Sequence, residues 1–175
     1  MKQKGWVILG SILVIMWIGL ILFFSSQPSK ASNAQSEEAV TIYEKLNAVF
    51  DFSDSPFFNR IESFVFEDIL DEKYKTTNAK VRKSAHFGIY FVLGSLTAFL
   101  GWVYTKKWLI SVLLGICLPT TVAVVDEFNQ GLIDRTSMLG DVVLDGVGAT
   151  FGMIFGLFLI LGYASIKKSK WFSKK

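Results

Sequence analysis

The hydrophobic positions of this 175-residue chain are gathered into four long runs, separated by polar and charged segments. Each run is close to the roughly 17–25 residues that a helix needs to cross the hydrocarbon core of a bilayer. The pattern therefore predicts an all-α membrane protein with four transmembrane helices and a single domain over residues 1–175. The predicted spans cover residues 6–24, 87–104, 108–125 and 142–163.

A cleaved signal peptide is the alternative for the first run. Lys2 and Lys4 precede it, and small residues follow it. Its apolar stretch is longer than the roughly 7–15 residues of a signal-peptide core, and no A-x-A cleavage site follows. We therefore expect an uncleaved membrane anchor.

The long segment between the first two spans, residues 25–86, begins as a polar linker. Residues 37–50 and 55–70 then place apolar side chains at helical spacing, and Ser55 before Pro56 is typical of a helix start. We expect an amphipathic helical segment that lies on the membrane surface or caps the bundle. A lid over a site is the functional alternative to this packing role.

The charges predict an orientation for the spans, because Lys and Arg near span ends favour the cytoplasmic side. Both terminal segments and the turn after the second span carry lysine and no acidic residue, whereas all 15 acidic residues lie within residues 25–86 and 126–145. We expect both termini in the cytoplasm and the acidic segments outside. This placement accounts for the net charge of +3 without nucleic acid as a partner. The expected partner is the lipid bilayer.

Four polar side chains share one face at the start of the second span. Arg82, Lys83, His86 and Tyr90 fall within an arc of about 100° on a helix. Snorkelling to lipid head groups would explain the two cations, and a structural hydrogen bond would explain the histidine. Ionisable groups inside a span are nevertheless candidate functional residues.

The third run ends in DEFNQ, which places Asp126 and Gln130 on one helical face with Glu127 beside them. Solvation of both carboxylates is one interpretation. Because Asp126 directly follows the apolar run TTVAVV, we expect at least one carboxylate to point into the bundle, where it needs a partner. Arg135 and the cations of the second span are the available partners.

The fourth run carries its own polar stripe. Asp141, Asp145, Gly148, Gly152 and Gly156 lie within an arc of about 80°. Glycines at this spacing allow close helix packing, which is the role we expect for them. The two aspartates should therefore face partner helices rather than lipid.

Together these residues predict a polar pocket in the outer leaflet, without a clear catalytic signature. One histidine, a single cysteine (Cys117) within an apolar run and no HExxH motif argue against zinc. A Mg²⁺ site among the carboxylates is a lesser alternative, because no oxygen-ligand loop is recognisable. Ser84 and Ser137 do not lie in a nucleophile elbow. We expect neither a metal nor another cofactor.

Four elements, in this order, resemble the VanZ-like family of small bacterial membrane proteins: FSSQPS, RKSAHFGIY, DEFNQ, and Arg135 followed by DVVLDGVGATFG. The resemblance covers most of the chain apart from the long outer segment. It implies a protein of the bacterial cytoplasmic membrane and a link to teicoplanin resistance. The family pattern has Asn where this chain has Asp145, which adds a charge here. The family's recurring polar positions fall on Lys83, His86, Asp126, Glu127, Gln130, Arg135, Asp141 and Asp145.

Three hypotheses follow for the polar residues. In the first, the pocket binds a lipoglycopeptide or a lipid-linked cell-wall molecule, with the cations meeting anionic groups and the carboxylates binding amines and hydroxyls. In the second, the protein is a membrane enzyme acting on a lipid head group, with His86, Glu127 and Asp126 as candidate catalytic residues. In the third, the polar residues only lock the helices together. The candidate binding residues are Arg82, Lys83, His86, Tyr90, Asp126, Glu127, Gln130, Arg135, Asp141 and Asp145.

Overall fold

The computed structural model describes residues 3–28, 37–38, 40–42, 45, 77–133 and 139–172. Within these ranges the chain is helical and contains no strand, which confirms the all-α prediction. Most of the predicted amphipathic segment lies outside the described residues. The four long helices are α1 (Gln3–Ser25), α2 (Thr77–Thr105), α3 (Trp108–Leu132) and α4 (Leu139–Phe172).

Each helix contains a stretch long and apolar enough to cross a membrane, so the chain is a multi-pass membrane protein. The four-span prediction is confirmed, but the helices extend beyond the apolar runs. Helix α2 begins at Thr77, well before Phe87, and α3 continues past Val125 to Leu132. The polar residues that flank the runs therefore lie on helices rather than in connecting loops.

The helices alternate in direction, which gathers the acidic residues of α3 and α4 at one end of the described bundle. Gln3 Nε2 of α1 donates to the Val103 carbonyl near the end of α2, at 3.0 Å. Lys106 and Lys107 join α2 to α3 directly, with Lys106 in the left-handed region at φ 57°. We call this the basic end. The opposite end, where α1 and α3 finish and α2 and α4 begin, is called the polar end.

The α2–α4 interface is the most extensive in the described bundle. At Gly152 an added Cβ would overlap the Phe91 carbonyl oxygen, and at Gly94 it would overlap the Ala149 carbonyl oxygen. Ser95 Oγ crosses the same interface and donates to the Gly152 carbonyl at 2.8 Å. The glycine stripe predicted close packing on a partner helix, and α2 is that partner.

Helix α1 is peripheral by comparison. Only 17% of its most apolar stretch is buried inside the bundle, whereas 44% of the corresponding stretch of α4 is buried. Trp17 attaches it to α2, since its indole Nε1 donates to the Ile89 carbonyl at 3.0 Å. The remaining apolar surface of α1 is available to lipid.

Candidate functional site

Charged and amide side chains are buried at the polar end of the bundle. Taking such groups out of water is unfavourable unless they find partners, so each needs a physical explanation. They come from the first turns of α2 and α4 and the last turns of α3. These buried residues, each with its exposed fraction in parentheses, are Lys83 (1%), Asp126 (2%), Glu127 (4%), Gln130 (4%), Asp141 (6%) and Asp145 (0%).

Lys83 and Asp141 form an ion pair closest to the polar end. Lys83 Nζ contacts Asp141 Oδ1, and the two side chains are only 2% and 9% exposed. Asp141 lies in the first turn of α4, where the helix dipole also favours a carboxylate. Lys83 therefore does not extend to the lipid head groups, because its ammonium group is held between two helices.

His86 and Asp145 meet one turn further along the same interface. His86 Nδ1 lies 3.6 Å from Asp145 Oδ1, which is ion-pair range when the imidazole is protonated and is too long for a good hydrogen bond. The His86 side chain keeps 22% exposure, while the Asp145 side chain has none. The histidine thus links a buried carboxylate to the surface of the bundle.

Tyr90 and Asp126 form the third contact. The Tyr90 hydroxyl donates to Asp126 Oδ2 at 3.2 Å, with the tyrosine 1% exposed. Ser25, the last residue of α1, is also buried, and its hydroxyl donates to the Asp126 backbone carbonyl at 3.3 Å. Sequence reasoning treated Ser25 as the start of a linker. Its position in the FSSQPS element was the only signal that it mattered.

The three contacts form a ladder along α2. Lys83, His86 and Tyr90 lie at positions i, i+3 and i+7, so one face of α2 meets three aspartates from α3 and α4. The shared face that the sequence indicated is observed for these three residues. Arg82, the fourth predicted member, is half-buried. Arg135 lies outside the described residues, and its part in the site stays a prediction.

Glu127 adds a further carboxylate to this region. It lies beside Asp126 on α3, and its charge acts on both Lys83 and Tyr90. Four carboxylates therefore gather at the polar end among the described residues, where α2 also carries basic residues and one imidazole.

One subset of the ladder has the composition of a metal site. One ligand atom each from His86, Asp126 and Asp145 can be chosen so that all three lie within 4.8 Å of one another. The three residues belong to α2, α3 and α4. No short sequence motif can reveal such a set, because the ligands are separated by whole helices. This explains why the sequence analysis did not identify it.

A helical bundle with four candidate spans and paired charges inside one end belongs to the class of multi-pass membrane proteins with an intramembrane polar site. The family model described as VanZ/LLP1 matches residues 11–161, which is most of the chain and includes the whole ladder. The chain therefore belongs to the VanZ/LLP1 family, as the four sequence elements indicated. No curated protein and no solved structure matches it.

Proposed function

We propose that this VanZ-like protein resides in the bacterial cytoplasmic membrane with both termini in the cytoplasm, and that its polar end holds the head group of an amphiphile in the outer leaflet. Family membership and the four spans support the membrane setting. The orientation is supported by the lysines of the basic end and the acidic residues of the other end.

The observation that carries the proposal is a set of carboxylate oxygens available at the end of the ladder. Asp126 Oδ1 and both oxygens of Asp145 are buried and accept no hydrogen bond from the described residues. Buried acceptors are normally satisfied, and helix locking alone would leave them satisfied by the other helices. Hydroxyl and amine groups of a bound head group would supply the missing donors.

The head groups that suit this site are rich in hydroxyls, amines and acidic groups. A lipoglycopeptide such as teicoplanin and a lipid-linked cell-wall molecule both carry such groups beside an acyl or prenyl chain. Holding either one at the outer leaflet would contribute to glycopeptide resistance. Lys83 and the half-buried Arg82 would meet its anionic groups, while Arg135 is expected to contribute from outside the described residues.

Teicoplanin susceptibility tests this function in a host where the intact protein protects. We expect Glu127→Ala and Asp141→Ala each to lower the minimum inhibitory concentration to that of cells without the protein. Glu37→Ala is the matched control, because it removes an exposed carboxylate that is distant in sequence from Glu127 and Asp141. Unchanged protection by both site variants, at normal membrane levels of protein, would refute the resistance proposal.

A membrane enzyme acting on a lipid head group is the second candidate. The contact between His86 and Asp145 favours it, because an imidazole oriented by a buried carboxylate can act as a general acid or base. Release of phosphate or sugar from a lipid-linked substrate by the purified protein, abolished by His86→Gln, would support catalysis. Binding of the same lipid without release of phosphate or sugar would support the binding function and refute the enzymatic one.

A further inference from the structure

We propose that His86, Asp126 and Asp145 bind a divalent metal ion at the polar end of the bundle. The inference rests on the proposed function in one respect, since it places the ion in the site that would hold the head group. One ligand atom from each side chain lies within 4.8 Å of the other two. Ligands about 2.0–2.2 Å from a tetrahedral zinc ion are about 3.4 Å apart, so the longest of these separations would shorten by up to about 1.4 Å when a metal binds.

Carboxylate oxygens of Asp126 and Asp145 are buried and lack hydrogen-bond donors among the described residues. Tyr90 already donates to Asp126 Oδ2, which leaves Oδ1 buried without a hydrogen bond from any described residue. Asp145 is fully buried, and neither of its oxygens accepts a hydrogen bond within the described part of the chain. A cation coordinated by one oxygen of each aspartate would compensate the buried carboxylate charge at those atoms.

The carboxylates of the buried aspartates also need a positive charge nearby to balance them. Lys83, the cation of the ladder, forms an ion pair with Asp141 and also lies within electrostatic range of Asp145 and Glu127. Carboxylate ligands are deprotonated and an imidazole ligand is neutral when they bind a metal, so Asp126 and Asp145 would balance the charge of a divalent cation among these buried residues. Ligands from three different helices would also make the ion a link between α2, α3 and α4.

The donor atoms indicate the kind of metal. One imidazole nitrogen with two carboxylate oxygens suits zinc or manganese, whereas magnesium and calcium favour sets made of oxygen alone. Three protein ligands leave a coordination position open, as in catalytic zinc sites. An oxygen of a phosphate, carboxylate or hydroxyl in the head group could occupy that position. Tyr90 would be a positioning residue that orients Asp126.

Metal uptake by the purified full-length protein tests the inference. The protein in detergent is stripped with chelator, dialysed against Zn²⁺ or Mn²⁺ alone, and its metal content is measured. We expect about one ion per chain. Asp145→Asn and His86→Gln should abolish stoichiometric uptake, and Tyr90→Phe should weaken the affinity by about 10–100-fold, as for other outer-shell partners. Glu37→Gln is the control and should keep the ion, because it removes an exposed carboxylate that is not one of the three ligands.

Failure of the wild-type protein to take up either metal would overturn the inference, and so would equal losses of metal from Glu37→Gln and Asp145→Asn. If the ligand variants do not fold, Co²⁺ absorption spectra of the wild-type protein decide. Bands of a protein-bound ion that chelator removes support the site, and their absence overturns it. Teicoplanin protection measured in parallel separates the two proposals. Protection without metal uptake overturns the metal site alone, while uptake without protection overturns the resistance function alone.

Discussion

At the basic end of the bundle Lys106 and Lys107 are exposed, and Lys106 Nζ lies 5.7 Å from the centroid of the Trp102 ring. At the polar end Lys83 is 1% exposed and contacts Asp141 on another helix. All three lysines border apolar runs in the sequence. The exposed pair keeps its hydration, as lysines at the end of a span commonly do.

The buried lysine has a different meaning. A charge removed from water needs a counter-charge in good geometry, and the polar end supplies carboxylates from two other helices. The contrast between the two ends therefore locates the candidate site, which sequence position alone does not.

The largest expected effect comes from breaking the buried ion pair. Asp141→Asn leaves the Lys83 ammonium buried with less counter-charge, and we expect the free energy of unfolding to fall by about 3 kcal/mol, as for other buried pairs. Lys106→Gln removes an exposed charge at the other end and should leave stability unchanged. Denaturant unfolding of both variants in detergent measures this. Equal stability of the two would show that the ends do not differ as described.

A smaller effect is expected at the interface that positions the ladder. Gly152→Ala introduces a Cβ onto the Phe91 carbonyl of α2, and the required separation of the helices should cost about 1–3 kcal/mol. Gly162→Ala is the control on the same helix, since nothing lies within 4 Å of its added Cβ. Thermal unfolding should place the control near the wild-type protein and the Gly152 variant well below it. Coincident unfolding curves would contradict the close α2–α4 packing.

The smallest effect concerns a single hydrogen bond. Tyr90→Phe removes the donor to Asp126 Oδ2 and should lower stability by about 1 kcal/mol. The same substitution at Tyr104, which is 68% exposed and near the basic end, should change nothing measurable. Comparison of the two variants by denaturant unfolding isolates the buried bond. A loss at Tyr104 as large as that at Tyr90 would argue against a special role for the polar end.

The sequence was sufficient for the four spans and for the shared faces of Lys83, His86 and Tyr90 on α2 and of Asp141 and Asp145 on α4. Hydrophobic length and helical period determine both, and they also identified the glycine stripe of α4. They did not determine which side chains meet across helices. That depends on the relative rotation and depth of α2, α3 and α4, so the contacts of Lys83 with Asp141 and of Tyr90 with Asp126 required the structure.

The positions of the helix ends were likewise not predictable from the hydrophobic pattern. Apolar runs predict where hydrocarbon begins, whereas the backbone remains helical as long as its hydrogen bonds continue. Helix α3 thus carries Asp126, Glu127 and Gln130 inside its last turns, where they are buried. Ser25 was missed for a related reason, because a serine at the end of an apolar run is usually the start of a linker.

The central claim is that the charges of the polar end bind a ligand and do more than hold the helices together. The double variant Lys83→Met/Asp141→Asn tests it most directly, because replacing both members of a buried pair with neutral residues of similar size is often close to neutral for stability. The measurement is teicoplanin protection at matched membrane levels of folded protein. We predict stability above that of Asp141→Asn alone together with lost protection. Full protection by the double variant would contradict the account.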